Sequence, residues 1–321
     1  MIGKLQLLGE DDFRPFMDNT IRPWIQETME EGYLAAADGL KLHYCCLPNP
    51  QEIGRIMIMH GYCEFFGKYH ELSWYLWQQG YGIYFLEQRG HGYSDRDGVE
   101  NDMVYVSDFN EYVEDQKLFY DTIVSKDAKS PIFLLAHSMG GLVGARYIEK
   151  YTDDFKRVIL SSPLLKMNSG SIPAFATYIL VFYSILARKQ KAYIPGHGAF
   201  DGVRNFIGSS TKSEARYNYT FDQRLLDKHY QTYSACYAWS RAALRAVRQA
   251  QRDVGKVKNE ILLLQAGQDH MVKIEGQDRF ASKLKDCKLV RFPLARHEIF
   301  NSLMEDREKY YKEILSFLKK E

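Results

Sequence analysis

The sequence predicts an α/β protein: a mostly parallel, doubly wound sheet with a helical cap inserted into it. Three observations carry that expectation. Short, nearly continuous apolar runs recur along the chain, as in strands buried on both faces. Helical segments separate most of them. The rhythm then breaks once, between Ser161 and Ile261, where no convincing core strand occurs.

In chain order, "GYLAAADGLKLHYCCL" (Gly32 to Leu47) reads as a hairpin turning at Asp38-Gly39. Arg55 to Met59, Gly82 to Glu87 and Ile132 to Ala136 read as buried strands. Arg157 to Ser161, Ile261 to Gln265 and Lys288 to Phe292 complete the set. Helices are expected at His70 to Gln79, Asp108 to Ser125, Gly140 to Tyr151, Gln277 to Leu284 and Arg307 to Lys319. The division that follows is a core of residues 1–161 and 256–321, with residues 162–255 as the cap. Within the cap lie an apolar run, glycine-rich turns around Gly196 to Gly208, and a helical stretch from Thr232 to Val247.

Composition narrows the class. The chain has 321 residues, 45% of them apolar and 26% charged, as in an ordinary globular protein. The net charge of +1 and the scattered Lys and Arg offer no field to attract nucleic acid. Five cysteines without C-x-x-C spacing argue against a disulfide scaffold or zinc site and for reduced, cytoplasmic thiols. The N-terminal "MIGKLQLLGEDDF" lacks an apolar stretch of signal-peptide length. Met167 to Ala187 carries no charge, but Pro173 suits a helix start, which leaves Pro173 to Ala187 short for a span. It reads as a buried or membrane-grazing helix followed by the cationic "RKQK".

The chemistry concentrates at "FLLAHSMGGLVG" (Phe133 to Gly144). Ser138 follows a strand at once and precedes a helix, with Ala136 two residues before it and Gly140 two after. Small neighbours there let strand and helix pass closely, which is the G-x-S-x-G nucleophile elbow with alanine in the first glycine place. A serine that only caps the helix is the plainer alternative. A serine hydroxyl needs a base, and the base an orienting acid. Asp269 follows the strand "ILLLQ", and His297 follows "KLVRF", in the order Ser, acid, His. His270 adjoins the acid too closely to face it, and Asp253 and Asp278 have no strand immediately before them. His60-Gly61 sits just past another strand, where a loop of this fold type would carry an oxyanion donor, so the N–H groups of Tyr62 and Met139 are the candidate donors and a plain strand-end turn is the alternative.

These motifs resemble the α/β-hydrolase fold, and within it the monoacylglycerol lipases and bacterial lysophospholipases. "HGYCEFFGKY" is similar to that branch's H-G-x-x-E-x-x-x-R-Y, with Lys68 for the arginine. "EQRGHGYSD" is similar to D-x-R-G-H-G-x-S-D, with Glu87 for the first aspartate, and "AHSMGG" to G-H-S-M-G-G. "AGQDHMV" and "ARHEIF" match the acid and histidine segments. The similarity runs from about Tyr33 to the end, apart from most of the cap. It implies a serine hydrolase acting on carboxylic esters of monoacyl lipids, with no metal or organic cofactor and with transient membrane-surface contact through the cap. A small-ester hydrolase or proline-type aminopeptidase shares the same parts, and a ligand binder that has lost catalysis is a further class. Arg89, His91 and Asp95 read as ties for a loop beside the site.

Overall fold

The computed structural model describes residues 5–168 and 189–320, so the predicted Pro173 to Ala187 helix lies outside the described residues. The main sheet has eight strands: β1 Glu30–Ala35, β2 Lys41–Leu47, β3 Gly54–Met59, β4 Tyr81–Leu86, β5 Ile132–His137, β6 Arg157–Ser161, β7 Glu260–Ala266 and β8 Cys287–Phe292. Their spatial order is β1-β2-β4-β3-β5-β6-β7-β8. All pairings from β4 to β8 are parallel, while β1–β2 and β2–β4 are antiparallel. The β1–β2 turn falls where the sequence predicts it: Gly39 takes φ +87° and donates to Ala36 O at 2.9 Å.

Every buried strand alternates between two cores. Met57, Met59, Leu134 and Ala136 point into one, and Ile56, Ile58, Phe133 and Leu135 into the other. Helices cover both faces, as parallel strands require. Glu10–Phe16 (α1), Arg22–Thr28 (α2), His70–Gln78 (α3) and Met304–Leu318 (α9, the last in the chain) supply apolar residues to the second core. Phe109–Phe119 (α4), Met139–Lys150 (α5), Tyr237–Asp253 (α7) and Ile274–Ala281 (α8) serve the first. A further helix, Glu214–Leu226 (α6), packs against α1 and the turn Phe66–Tyr69.

Two helical segments lie where the sequence reading assigns no element, and one helix starts later than expected. A π-turn at Met17–Ile21 joins α1 to α2, although Pro15 and Pro23 discourage helix on paper. Pro23 sits in the first turn of α2, where its missing N–H costs nothing. The polar α6 lies in the expected cap at a place where the sequence reading assigns no element. The expected helix from Thr232 begins only at Tyr237, because Ser234–Ala235 pairs in parallel with Met103–Val104. Along α7 the buried residues Ala238, Ala242, Ala246 and Ala250 recur every four positions, a stripe of small side chains along one helix face.

Chain order explains where a site forms. From β3 the chain crosses to β4 on one side and later to β5 on the other. The crevice at the carboxyl ends of β3 and β5 is the switch point where such sheets take ligands.

Candidate active site

Ser138 stands at that crevice, with φ +54° and ψ −117°, a backbone conformation side chains rarely adopt. The tight pass is held by its neighbours. Ser138 N–H donates to Ser161 O at 3.0 Å, and Ser138 O accepts from Leu142 and Leu164 N–H at 3.2 and 2.9 Å. Gly140 cannot be anything larger in place: a Cβ there would lie 2.1 Å from Met59 O and 2.5 Å from His60 O.

The three sequence-predicted side chains meet. His297 Nε2 lies 2.7 Å from Ser138 Oγ, and His297 Nδ1 lies 2.6 Å from Asp269 Oδ2. An ionised carboxylate only accepts, so Nδ1 carries the proton and Nε2 is left to accept from the serine hydroxyl. Asp269 Oδ1 also accepts from the N–H groups of Met271 and Val272, at 2.8 and 3.0 Å. Burial pushes the Asp269 carboxyl up, but His297 and these amides outweigh it and hold it below its ordinary range. The rival residues are engaged elsewhere. Asp253 pairs with Arg252, Lys256 and Arg146, and Asp278 pairs with Arg291. His270 is exposed.

The β3 loop reaches the same place. Gly61 N–H donates to Glu64 Oε2 at 2.6 Å, and the next residue, Tyr62, precedes Cys63 at φ +57°. Met139 opens α5, so its N–H has no partner within the helix. His60 orders the loop: its Nε2 accepts from Gln88 N–H at 2.9 Å, and its Nδ1 donates to Gly61 O at 2.7 Å. Arg89 ties its own loop to Asp115 through two nitrogens, and to Asp38 and Glu111. Asp95 accepts from Lys41 N–H, and Glu87 from the N–H groups of Phe66 and Tyr93.

A buried polar chain beneath the loop was legible only as a motif. Glu64 accepts from Gly61 N–H, Tyr69 Oη and Lys68 Nζ, and Lys68 reaches on to Glu298 Oε1 at 2.6 Å. Burial lowers the Lys68 pKa, but Glu298 and Glu64 more than reverse this and raise it to about 12. Glu298 follows His297 directly, and its N–H donates to Ser210 O at 2.9 Å. Arg296, just before, donates to Phe206 O and Thr211 O. The loop before α6 is thereby pinned beside the catalytic-type histidine.

A cavity of about 310 Å³ opens next to these residues. Cys63, His270, Met271 and Glu298 line one side, and Arg224, Tyr217, Phe221 and Tyr233 another. Among the described residues one group has metal-ligand proximity: Glu31, His43 and Cys45, on the β1–β2 edge. The His43 ring already bonds Glu87 and Glu31, one through each nitrogen, and the two nitrogens face apart. That cluster is an ion pair in form.

His137, between Glu64 at 3.7 Å and the His297 ring at 4.9 Å, is fully buried. Burial pushes its pKa from 6.5 to about 4, and burial also lowers those of His60 and His91. These imidazoles stay neutral in the fold while the unfolded chain takes up protons below about pH 6.5. Stability from them is therefore complete above that pH and is lost as pH falls, by about 1.4 kcal/mol per unit per site. Urea midpoints should decline steadily from pH 7 to pH 4.5; a midpoint unchanged down to pH 5 excludes neutral buried histidines.

Comparison with known proteins agrees with the fold. The family profile described as "Serine aminopeptidase, S33" matches residues 50–303. A probable lysophospholipase L2 from Haemophilus influenzae is 24% identical over 97% of this chain and 99% of its own. Monoglyceride lipase from Mus musculus is 26% identical over 89% of each chain. The fold is shared with a soluble variant of monoglyceride lipase from Saccharomyces cerevisiae, in complex with a substrate analog, at a TM-score of 0.74 and 18% identity, covering 91% of this chain and 95% of that one. The chain belongs to the serine aminopeptidase S33 family, as an α/β-hydrolase of its monoacylglycerol lipase and lysophospholipase branch.

Proposed function

We propose that this carboxylic ester hydrolase cleaves monoacyl lipids, lysophospholipids or monoacylglycerols, through an acyl-enzyme on Ser138. The unbroken line from Asp269 through His297 to Ser138, at 2.6 and 2.7 Å, carries the reading. His297 takes the serine proton as Oγ attacks the ester carbonyl, and returns it to the leaving alcohol. Asp269 keeps the imidazole in the required tautomer and stabilises its cation. The N–H groups of Tyr62 and Met139 receive the oxyanion, each donor worth about 3 kcal/mol of barrier. Water then attacks the acyl-enzyme by the same relay, releasing the fatty acid.

The names of the relatives favour a lipid. Residues 162–255 act as the cap in this reading. Val203, Ile207, Leu225 and Leu226 stand exposed near the cavity, Ile207 at 87% and Leu226 at 85%, and would graze a membrane surface while a lipid is drawn in. No helix among the described residues is long and apolar enough to cross a membrane. An aminopeptidase would need a free carboxylate for the substrate ammonium. The one carboxylate among the described lining residues, Glu298, is already held by Lys68 and Asn301.

The test is a panel of lysophosphatidylcholine, lysophosphatidylethanolamine, monoolein, p-nitrophenyl acetate and proline p-nitroanilide. At least one lipid should exceed the acetate in kcat/KM by about tenfold or more, as each buried methylene adds about 0.8 kcal/mol. Turnover confined to the short ester or the anilide overturns the lipid assignment.

A further inference from the structure

The cavity beside the Ser138 relay is lined by three strong cations, and they are not equivalent. Lys68 lies between Glu64 and Glu298. Arg216 holds Glu71 through two nitrogens and Glu10 through a third. Both are neutralised. Arg224, projecting from α6, has no carboxylate within ion-pair distance among the described residues. Its Nε donates to Tyr230 O at 3.0 Å and its Nη2 to Thr232 O at 2.7 Å. Its guanidinium carbon lies 4.6 Å from the centre of the Phe200 ring and 5.6 Å from that of Tyr233. Asp201 contributes only a weak attraction to it.

A guanidinium so placed is fixed in orientation but not in charge. Neutral carbonyls and aromatic faces hold it, while burial works against its charged form. Removing a cation from water without an anion is costly, and an incoming anion recovers that cost. The position is also informative. The same cavity is bounded by Cys63, next to Tyr62, by Met271, two residues past Asp269, and by Glu298, next to His297. The relay side chains do not themselves line this space, which meets them through these sequence neighbours, so the headgroup is assigned to it by its cations. A fork of N–H groups beside it suits phosphate oxygens better than a glycerol hydroxyl.

We propose that Arg224 binds the phosphate of a lysophospholipid headgroup and sets preference for phosphate-bearing over uncharged monoacyl lipids. The inference rests on the hydrolase reading of Ser138 for its kinetic arm, and on the cavity alone for its binding arm. In the kinetic arm, kcat/KM is measured for lysophosphatidylglycerol and for monoolein in the same neutral micelles. Arg224→Gln should lower the ratio of the two by about 10- to 100-fold, the range of a charge-assisted hydrogen bond, chiefly through KM. Arg224→Lys should restore part of it. In the binding arm, calorimetry follows glycerol 3-phosphate, inorganic phosphate and glycerol. Glycerol 3-phosphate should bind most tightly to the wild type and at least tenfold more weakly to Arg224→Gln.

A ratio unchanged within twofold, or glycerol 3-phosphate binding indifferent to Arg224, overturns the proposal. Inorganic phosphate binding as tightly as glycerol 3-phosphate makes the site one for the free ion and overturns the headgroup assignment. If neither lipid is hydrolysed but glycerol 3-phosphate binding depends on Arg224, the hydrolase reading fails and the phosphate site stands.

Discussion

Replacing Ser138 by alanine is expected to lower kcat for p-nitrophenyl butyrate by about a million-fold, the scale seen when a triad nucleophile is removed. The hydroxyl is the only group of the relay able to form the acyl bond. His297 and Asp269 keep their mutual contact, at 2.6 Å, but have nothing to deprotonate. The proposed oxyanion donors are backbone N–H groups and would survive the change, so a residual rate of about a thousand-fold over water is expected. Folding should be untouched. Alanine has the same Cβ as serine at φ +54°, so no strain is added to the turn. Thermal midpoint, ester hydrolysis and labelling by a fluorophosphonate probe should be measured together. A wild-type rate in the variant removes Ser138 from the mechanism. Absent labelling of folded wild type favours a ligand binder on this scaffold.

The largest stability effect is expected outside the Ser138 relay, at Glu71. Its buried carboxylate accepts from Arg216 Nε and Nη2, both at 2.7 Å, from Arg307 Nη2 at 2.5 Å, and from Tyr75 Oη at 2.9 Å. The side chains of Arg216 and Arg307 are only 2% and 1% exposed. Glu71→Gln removes the charge and keeps the shape, so two guanidiniums remain buried with less to balance them. Breaking a buried pair in this way costs roughly 3–5 kcal/mol. For a chain of this length that is a fall of about 4–8 °C in thermal midpoint. The loss should persist in high salt, because buried charges are poorly screened. A change under about 1 kcal/mol in urea titrations would show that the three side chains do not depend on one another, contrary to what is expected of a buried pair.

The two sites differ in how far the sequence discloses them. The Ser138 turn was legible because its requirement is local: a strand, a small residue on either side, and a helix within one short stretch. Asp269 and His297 were legible because each follows an apolar strand that announces itself. The Glu71 cluster was not, since its partners lie 145 and 236 residues away and no pattern links them. The same holds for α6. Its periodicity is blurred by tyrosines and charges, and the face carrying Arg216 and Tyr219 is buried by α1, itself masked by Pro15. The start of α7 was misplaced because Ser234–Ala235 is claimed by a distant two-residue strand, a tertiary effect that outweighs local helix preference.

The Glu71 knot bears on how the chain comes off the ribosome. Leu8 O, Glu71, Arg216 and Arg307 close on one another only when residue 307 has been synthesised. At about 5–20 residues per second, the first participants wait many seconds for the last. Arg216 and Tyr75 can partner Glu71 earlier, but the Arg307 contacts close only near the end of synthesis. The cluster therefore gains its last stabilising contacts only when the C-terminal helix has been made.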